Sequence, residues 1–305
     1  MQAKLAFAAK LRTDFLKGKG NYVKNIIKAE KLTFKYGSDL EKLTLNDISL
    51  DIKKGEFICI LGQNGSGKST LVKNFNALLL PTGGKVYVNN MATTDEEFNF
   101  EIHRLVGLVL QNPENQIVSS IVEEDVAFGP ENLNLDPIEI RRRVENALDI
   151  VGLKEYQKSI TYKLSGGQKQ KLAIAGVLAM HPQCIILDEP TSMLDSYSRK
   201  DILKTLEKIN RQYNITIILI THFMDEALLA DRVLVMDQGQ VVIDAKSQDI
   251  FSNADLIEKY HLSLPQGARL LFELKKCGYS VLLSNFSVEG CALSVEKILE
   301  ENICH

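Results

Sequence analysis

The chain has 305 residues, 45% of them hydrophobic and 25% charged, which excludes disordered and fibrous classes and leaves room for one large domain or two. A formal net charge of -3 argues against the broad basic surface that nucleic-acid binding requires. Five cysteines, at 59, 184, 277, 291 and 304, fit neither a metal-ligand spacing nor a disulfide framework and read as small packing residues, and no apolar run approaches the length of a bilayer span.

Residues 1–24 carry Lys4, Lys10, Arg12, Lys17, Lys19 and Lys24, with a Gly18-Lys19-Gly20 break, and read as a solvated basic tail. Residues 26–36 and 45–52 then read as strands separated by a turn at Gly37-Ser38-Asp39. Residues 85–88 and 105–110 add two more strand signals, and the four are expected to form a small antiparallel sheet beside a core. Tyr36, at the end of the first, is an aromatic placed to stack on an adenine ring, although most strand tyrosines serve packing.

Between them lies Gly62-Gln63-Asn64-Gly65-Ser66-Gly67-Lys68-Ser69-Thr70, preceded by an apolar strand-like run at 56–61 and followed by a helix-like stretch at 71–75. Strand, glycine loop and helix in that order satisfy the context test for a phosphate-binding P-loop, whose unpaired backbone N–H groups form a concave anion site. Lys68 is expected on the β and γ phosphates and the Ser69 hydroxyl on Mg²⁺. Residues 112–163 change period and read as a helical insert: Asp136-Pro137 opens a helix with a cap and an early proline, and Val144, Leu148 and Val151 recur on one face.

Leu164-Ser165-Gly166-Gly167-Gln168 immediately precedes a helix expected over 169–180, stopped by His181-Pro182. It is a second glycine-bearing helix start, and hence a second anion site. One subunit needs only one such site per triphosphate, so two subunits are expected to face head to tail, residues 165–168 of one closing over the γ-phosphate held by the other. Downstream, an apolar strand ends in the adjacent carboxylates Asp188 and Glu189, which alternate across the strand and are free to hold separate jobs. Another buried strand at 215–220 ends in Thr221-His222.

These motifs, in this order over about residues 26–245, closely resemble the ATP-binding cassette (ABC) ATPases. The resemblance implies an α/β P-loop NTPase fold with a RecA-like core, an antiparallel β subdomain and a helical subdomain, with ATP and Mg²⁺ as cofactors. It assigns Asp188 to the Mg²⁺ shell and Glu189 to the attacking water as general base. His222 matches the switch histidine on the γ-phosphate, Gln111 the glutamine that reaches Mg²⁺ and the water, and Asp195 the loop that signals across the dimer.

The segment after Gln111 is more specific. Gln111-Asn112-Pro113-Glu114-Asn115-Gln116-Ile117-Val118 and the run from Val122 to Asn132 resemble the ATPase subunits of energy-coupling-factor (ECF) importers of vitamins and transition-metal ions, leaning toward the first of their two paralogous ATPases. That resemblance implies a second ATPase subunit, identical or paralogous, a transmembrane coupling protein docked near residues 112–132, a substrate-binding membrane subunit, and a location at the cytoplasmic face of the membrane. Residues 246–305 form a C-terminal extension, with a helix over 268–277 ended by Gly278 and a strand signal at 280–283, and the resemblance gives it a part in pairing subunits. The expected division is a tail at 1–24, an ATPase domain at 25–245 and this extension. The ATPase of a conventional ABC transporter, or a non-transport ABC ATPase acting on nucleic acid, would share the nucleotide motifs.

Overall fold

The computed structural model describes residues 25–37, 43–253, 259–260, 263–279, 281, 286 and 288–303. The expected tail at 1–24 lies outside them, as do Ser280, Leu282, Leu283 and Cys304.

The chain opens with β1 (Asn25–Phe34) and β2 (Leu45–Lys53), which pair antiparallel. After β3 (Phe57–Gly62) and helix α1 (Lys68–Phe75), β4 (Gly83–Val88) pairs antiparallel with β1, and β5 (Met91–Ala92) with β4, closing a four-stranded sheet in the order β2-β1-β4-β5. Helix α2 (Asn99–Leu105) leads into β6 (Val106–Val109). The expectation that β6 joins the antiparallel sheet is wrong: it pairs parallel with β7 (Cys184–Asp188), Val106 opposite Cys184 and Val109 opposite Leu187. Between β6 and β7 stand three α-helices, α3 (Val122–Asn132), α4 (Pro137–Val151) and α5 (Gly166–Ala179). Then follow α6 (Ser196–Tyr213), β8 (Thr216–Ile220), α7 (Met224–Ala227), β9 (Arg232–Asp237), β10 (Gln240–Lys246) and α8 (Ser247–Phe251), with α9 (Gln266–Lys276) and α10 (Val288–Ile303) in the extension.

The second sheet has the order β10-β9-β3-β8-β7-β6 and is parallel except for the edge strand β10. Strands covered on both faces read as unbroken apolar runs, as Phe57 to Leu61 and Ile217 to Ile220 do, all buried. Alternate side chains enter different cores. Phe57, Cys59, Leu61, Ile185 and Leu187 join α3 to α6 on one face, while Ile58, Ile60, Cys184 and Ile186 join α1, α2 and the antiparallel sheet on the other. Cys59 and Cys184 are thus packing residues on opposite faces, Cys291 is buried, and Cys277 departs from the packing expectation by being exposed.

The C-terminal helix α9 covers most of the expected 268–277 and gives way to Gly278 at φ 93°. Ala268, Leu271, Phe286 and Cys291 belong to the helix-side core, so the described part of the extension packs onto it. Among the described residues, no helix is long and apolar enough to cross a membrane.

Candidate active site

Four neighbouring strands of the parallel sheet, β3, β8, β7 and β6, end at one edge, and each is followed there by one of the predicted motifs. Ligand sites in open α/β sheets form outside these carboxyl ends.

After β3 the chain turns through Gly62 (φ 146°) and Gly67 (φ 101°). A Cβ at Gly62 would lie 2.2 Å from the carbonyl oxygen of Met236, and one at Gly67 would lie 2.8 Å from that of Thr44, so neither position accepts a side chain. Gln63, Asn64 and Gly65 form the exposed rim, and Ser66 Oγ is buried with no hydrogen-bond partner among the described residues. Lys68 begins α1 and is buried, its Nζ donating to the carbonyls of Gly62 (2.8 Å) and Gln63 (2.9 Å). Burial lowers the Lys68 pKa, and the nearby Glu189 and Asp188 act against that shift. Ser69 Oγ donates to Asp188 Oδ1 at 3.1 Å, joining the first helical turn to the end of β7. Thr70 Oγ1 lies 3.2 Å from the hydroxyl of Tyr36, whose half-exposed ring stands edge-on to Phe34 just beyond the end of β1.

Burial raises the pKa of Asp188, with the charge of Glu189 adding to it and the Ser69 hydrogen bond opposing. Glu189 takes a left-handed backbone conformation (φ 49°), costly for a residue other than glycine, and its N–H donates to the Ile220 carbonyl at 3.0 Å. The Glu189 carboxylate lies against the residues that follow β6 and β8. Gln111 Nε2 donates to Glu189 Oε2 at 3.3 Å, and His222 Nδ1 lies 3.5 Å from the same oxygen. Gly62, Gln63, Asn64, Glu189 and His222, with Met224 and Ser263, line an open cavity of about 510 Å³. The loop residues Gly62, Gln63 and Asn64, with buried Lys68 behind them and the Glu189 carboxylate opposite, are suited to an anion beside a proton acceptor.

Residues 164–168 lie elsewhere. Leu164 is buried, while Ser165 and Gln168 form a capping box at the start of α5: Ser165 Oγ accepts from Gln168 N at 3.3 Å, and Ser165 N donates to Gln168 Oε1 at 2.9 Å. Gly166 and Gly167 pack against Leu194 and Ser198. Asp195 caps α6, accepting from the N–H groups of Tyr197 (2.9 Å) and Ser198 (3.0 Å). Among the described residues no hydrogen bond or ion pair joins residues 165–168 to the glycine loop.

Two participants were not singled out in the sequence. Ser192 accepts from Gln111 Nε2 at 3.3 Å and donates to the Glu189 carbonyl at 3.0 Å, and its signal is the hydroxyl pair directly after Glu189-Pro190. Glu226 is only 1% exposed and accepts from Thr191 Oγ1 at 2.7 Å, a contact between residues 35 apart that no local pattern announces.

The ABC transporter family profile matches residues 45–192. An energy-coupling factor transporter ATP-binding protein, EcfA1 of Clostridium perfringens, is 54% identical over 84% of this chain and 92% of its own length. Among solved structures, cbiO1 of Clostridium perfringens, described as part of the ABC transporter complex cbiONQ, superposes with a TM-score of 0.72 at 39% identity, covering 81% of this chain and 99% of that one. The ATP-binding cassette MJ0796, a dimer in a post-hydrolysis state with ADP and Pi, gives 0.65 at 32% identity over 72% and 98%.

Proposed function

Because the chain belongs to the ABC transporter ATPases, and within them to the ATP-binding proteins of energy-coupling factor transporters, we propose that the cavity at the sheet edge is its catalytic centre. The chain binds ATP and couples its hydrolysis to the uptake of vitamins or transition-metal ions through membrane subunits. In our reading residues 25–245 form the ATPase domain, with residues 112–163 as its helical subdomain and residues 246–305 an extension that helps pair the subunits. It works peripherally at the cytoplasmic face, on a coupling protein docked near residues 112–132, beside a substrate-binding membrane subunit.

Within the site, Gly62 to Thr70 hold the phosphates on backbone N–H groups and on Lys68, and Tyr36 stacks on adenine. Ser69 and Asp188 offer two hard oxygens to Mg²⁺, and in our reading Gln111 is a third ligand, which fits an ion that takes few protein ligands and completes its shell with phosphate and water. When bound, the ion neutralises phosphate charge. Glu189 takes the proton from the attacking water, and His222 and Gln111, both at its carboxylate, orient that water. Lys68 and the loop amides stabilise the charge that develops on the transferred phosphoryl group. Leu164, Ser165, Gly166, Gly167 and Gln168 complete the site of a second ATPase subunit, and Asp195 lies at the seam between the two.

The observation that carries this reading is the meeting of Gln111 and His222 on one oxygen of Glu189, 3.3 and 3.5 Å away, beside Lys68 and the Ser69–Asp188 pair. Glu189→Gln should keep ATP affinity within a few-fold and lower turnover by about 10²–10⁴. Calorimetry and phosphate release read the two, and sustained turnover in that variant would remove Glu189 from the role of base.

A further inference from the structure

Behind the catalytic pair lies a buried carboxylate with no part in the chemistry just described. Glu226, in the short helix α7, is 1% exposed, and its Oε1 accepts from Thr191 Oγ1 at 2.7 Å. Thr191 is itself fully buried and sits two residues beyond Glu189. Arg199, from the first turn of α6, brings Nε to 3.8 Å from the same oxygen. Its guanidinium lies 3.5 Å over the ring of Phe223, the residue after His222, and its Nη2 donates to the Leu194 carbonyl at 3.5 Å, next to Asp195. Thr221, on the other side of His222, accepts from Phe223 N at 3.0 Å and tightens the turn that carries the histidine. Glu226 and Arg199 together therefore join the turn after Glu189, the turn that presents His222, and the start of the helix capped by Asp195.

A carboxylate this deep is costly unless it is paired. Here the pairing is loose, since Arg199 Nε stands 3.8 Å from the carboxylate and makes no hydrogen bond among the described residues. An apolar residue of similar size would fill the space at less cost, so packing alone does not account for an acid at this position.

We propose that Glu226 is a positioning residue: clamped between Thr191 and Arg199, it sets the spacing of Glu189 and His222 and links that pair to the Leu194–Asp195 turn. This rests on the reading of Glu189 and His222 given above. Glu226 is buried outside the set of residues that line the cavity and acts through the geometry of its neighbours. The glycine loop lies outside the clamp, so nucleotide affinity and turnover should part company when the clamp is loosened.

The test uses Glu226→Gln, which keeps an acceptor for Thr191 but removes the charge facing Arg199, measured in the complex with its partner ATPase. The expected result is ATP affinity within about twofold of wild type, kcat at least about tenfold lower, and an unchanged melting temperature. Thr191→Val should reproduce the loss and Thr191→Ser restore the rate. In a His222→Ala background, Glu226→Gln should lower the residual rate by less than about twofold, because the geometry it sets has lost its target. Wild-type kcat in Glu226→Gln, or a loss of rate that follows a lower melting temperature, overturns the proposal. Full additivity in the double variant overturns the clamp and leaves the histidine's role standing, whereas full turnover in His222→Ala alone overturns that role.

Discussion

At Asp125 a carboxylate 8% exposed is held by backbone: its Oδ1 accepts from Val118 N at 2.7 Å and from Ser119 N at 3.0 Å. Burial raises its pKa above 3.8, and those two hydrogen bonds oppose the shift without reversing it. A raised folded-state pKa in an acid means that ionisation destabilises the fold, an effect complete above that pKa and fading as pH falls through it. Asp125→Asn keeps the acceptor without the charge. The wild type should therefore gain stability relative to this variant as pH drops from about 7 toward 4, whereas Asp125→Ala should cost about 2 kcal/mol at neutral pH by leaving two N–H groups unpaired. Urea unfolding at the two pH values measures both, and a gap that moves in the asparagine variant's favour on acidification refutes the account. At this scale the sequence is legible where chemistry is local. The glycine loop and the Asp188-Glu189 pair stand in contiguous letters, and strand alternation alone foretells that the two acids diverge. The left-handed backbone of Glu189 is not legible, because nothing but the sheet around it imposes φ 49° on a glutamate. Asp125 and Glu226 likewise take their roles from partners that only the fold brings near.

Helix α4 starts where its letters say, Asp136 capping Ile138 N at 2.9 Å with Pro137 in the first turn, and it stops at Gly152 in the left-handed region. Helix α5 starts three residues earlier than expected, at Gly166. Its two glycines read as loop, yet the Ser165 and Gln168 capping box holds them helical, and that spacing is itself a readable signal. For β6 the strand was legible and its partner was not, since an apolar run of four residues carries no record of which sheet it enters. As the edge of the parallel sheet, β6 needs its outer backbone groups satisfied, and Gln116 does this in place of a strand: its Oε1 accepts from Leu110 N at 2.7 Å and its Nε2 donates to Leu108 O at 3.0 Å. The same segment is joined to the helical part by the Ile121–Ile160 bridge. Gln116→Ala should cost about 1–2 kcal/mol and speed amide exchange selectively at Leu110, while Gln116→Glu keeps only the accepting half. Unchanged exchange at Leu110 in the alanine variant would show that the amide does not serve as an edge.

For the molecule as a whole, the capped start of α5 poses a problem that one chain does not solve. The box satisfies Gln168 N, leaving the N–H groups of Gly166 and Gly167 at a helix start where an anion is favoured. Packing fixes this turn against Leu194 and Ser198, and within the chain no hydrogen bond or ion pair among the described residues links it to the loop around Lys68. On the proposed reading, a γ-phosphate held at Lys68 meets one wall of its site in this chain, and a second ATPase subunit supplies the other. Turnover per subunit should then fall on dilution as the pair separates, even at saturating ATP. Ser165→Arg in this chain should leave its own ATP affinity within about twofold while silencing hydrolysis at the site on the partner, where a bulky cation blocks the approach of the helix start. Stopped-flow phosphate release from a mixed pair, with one glycine loop disabled at a time, separates the two sites. Turnover per molecule that stays level across about a hundredfold dilution, or a Ser165→Arg defect confined to the chain that carries it, would place both walls of the site in one polypeptide.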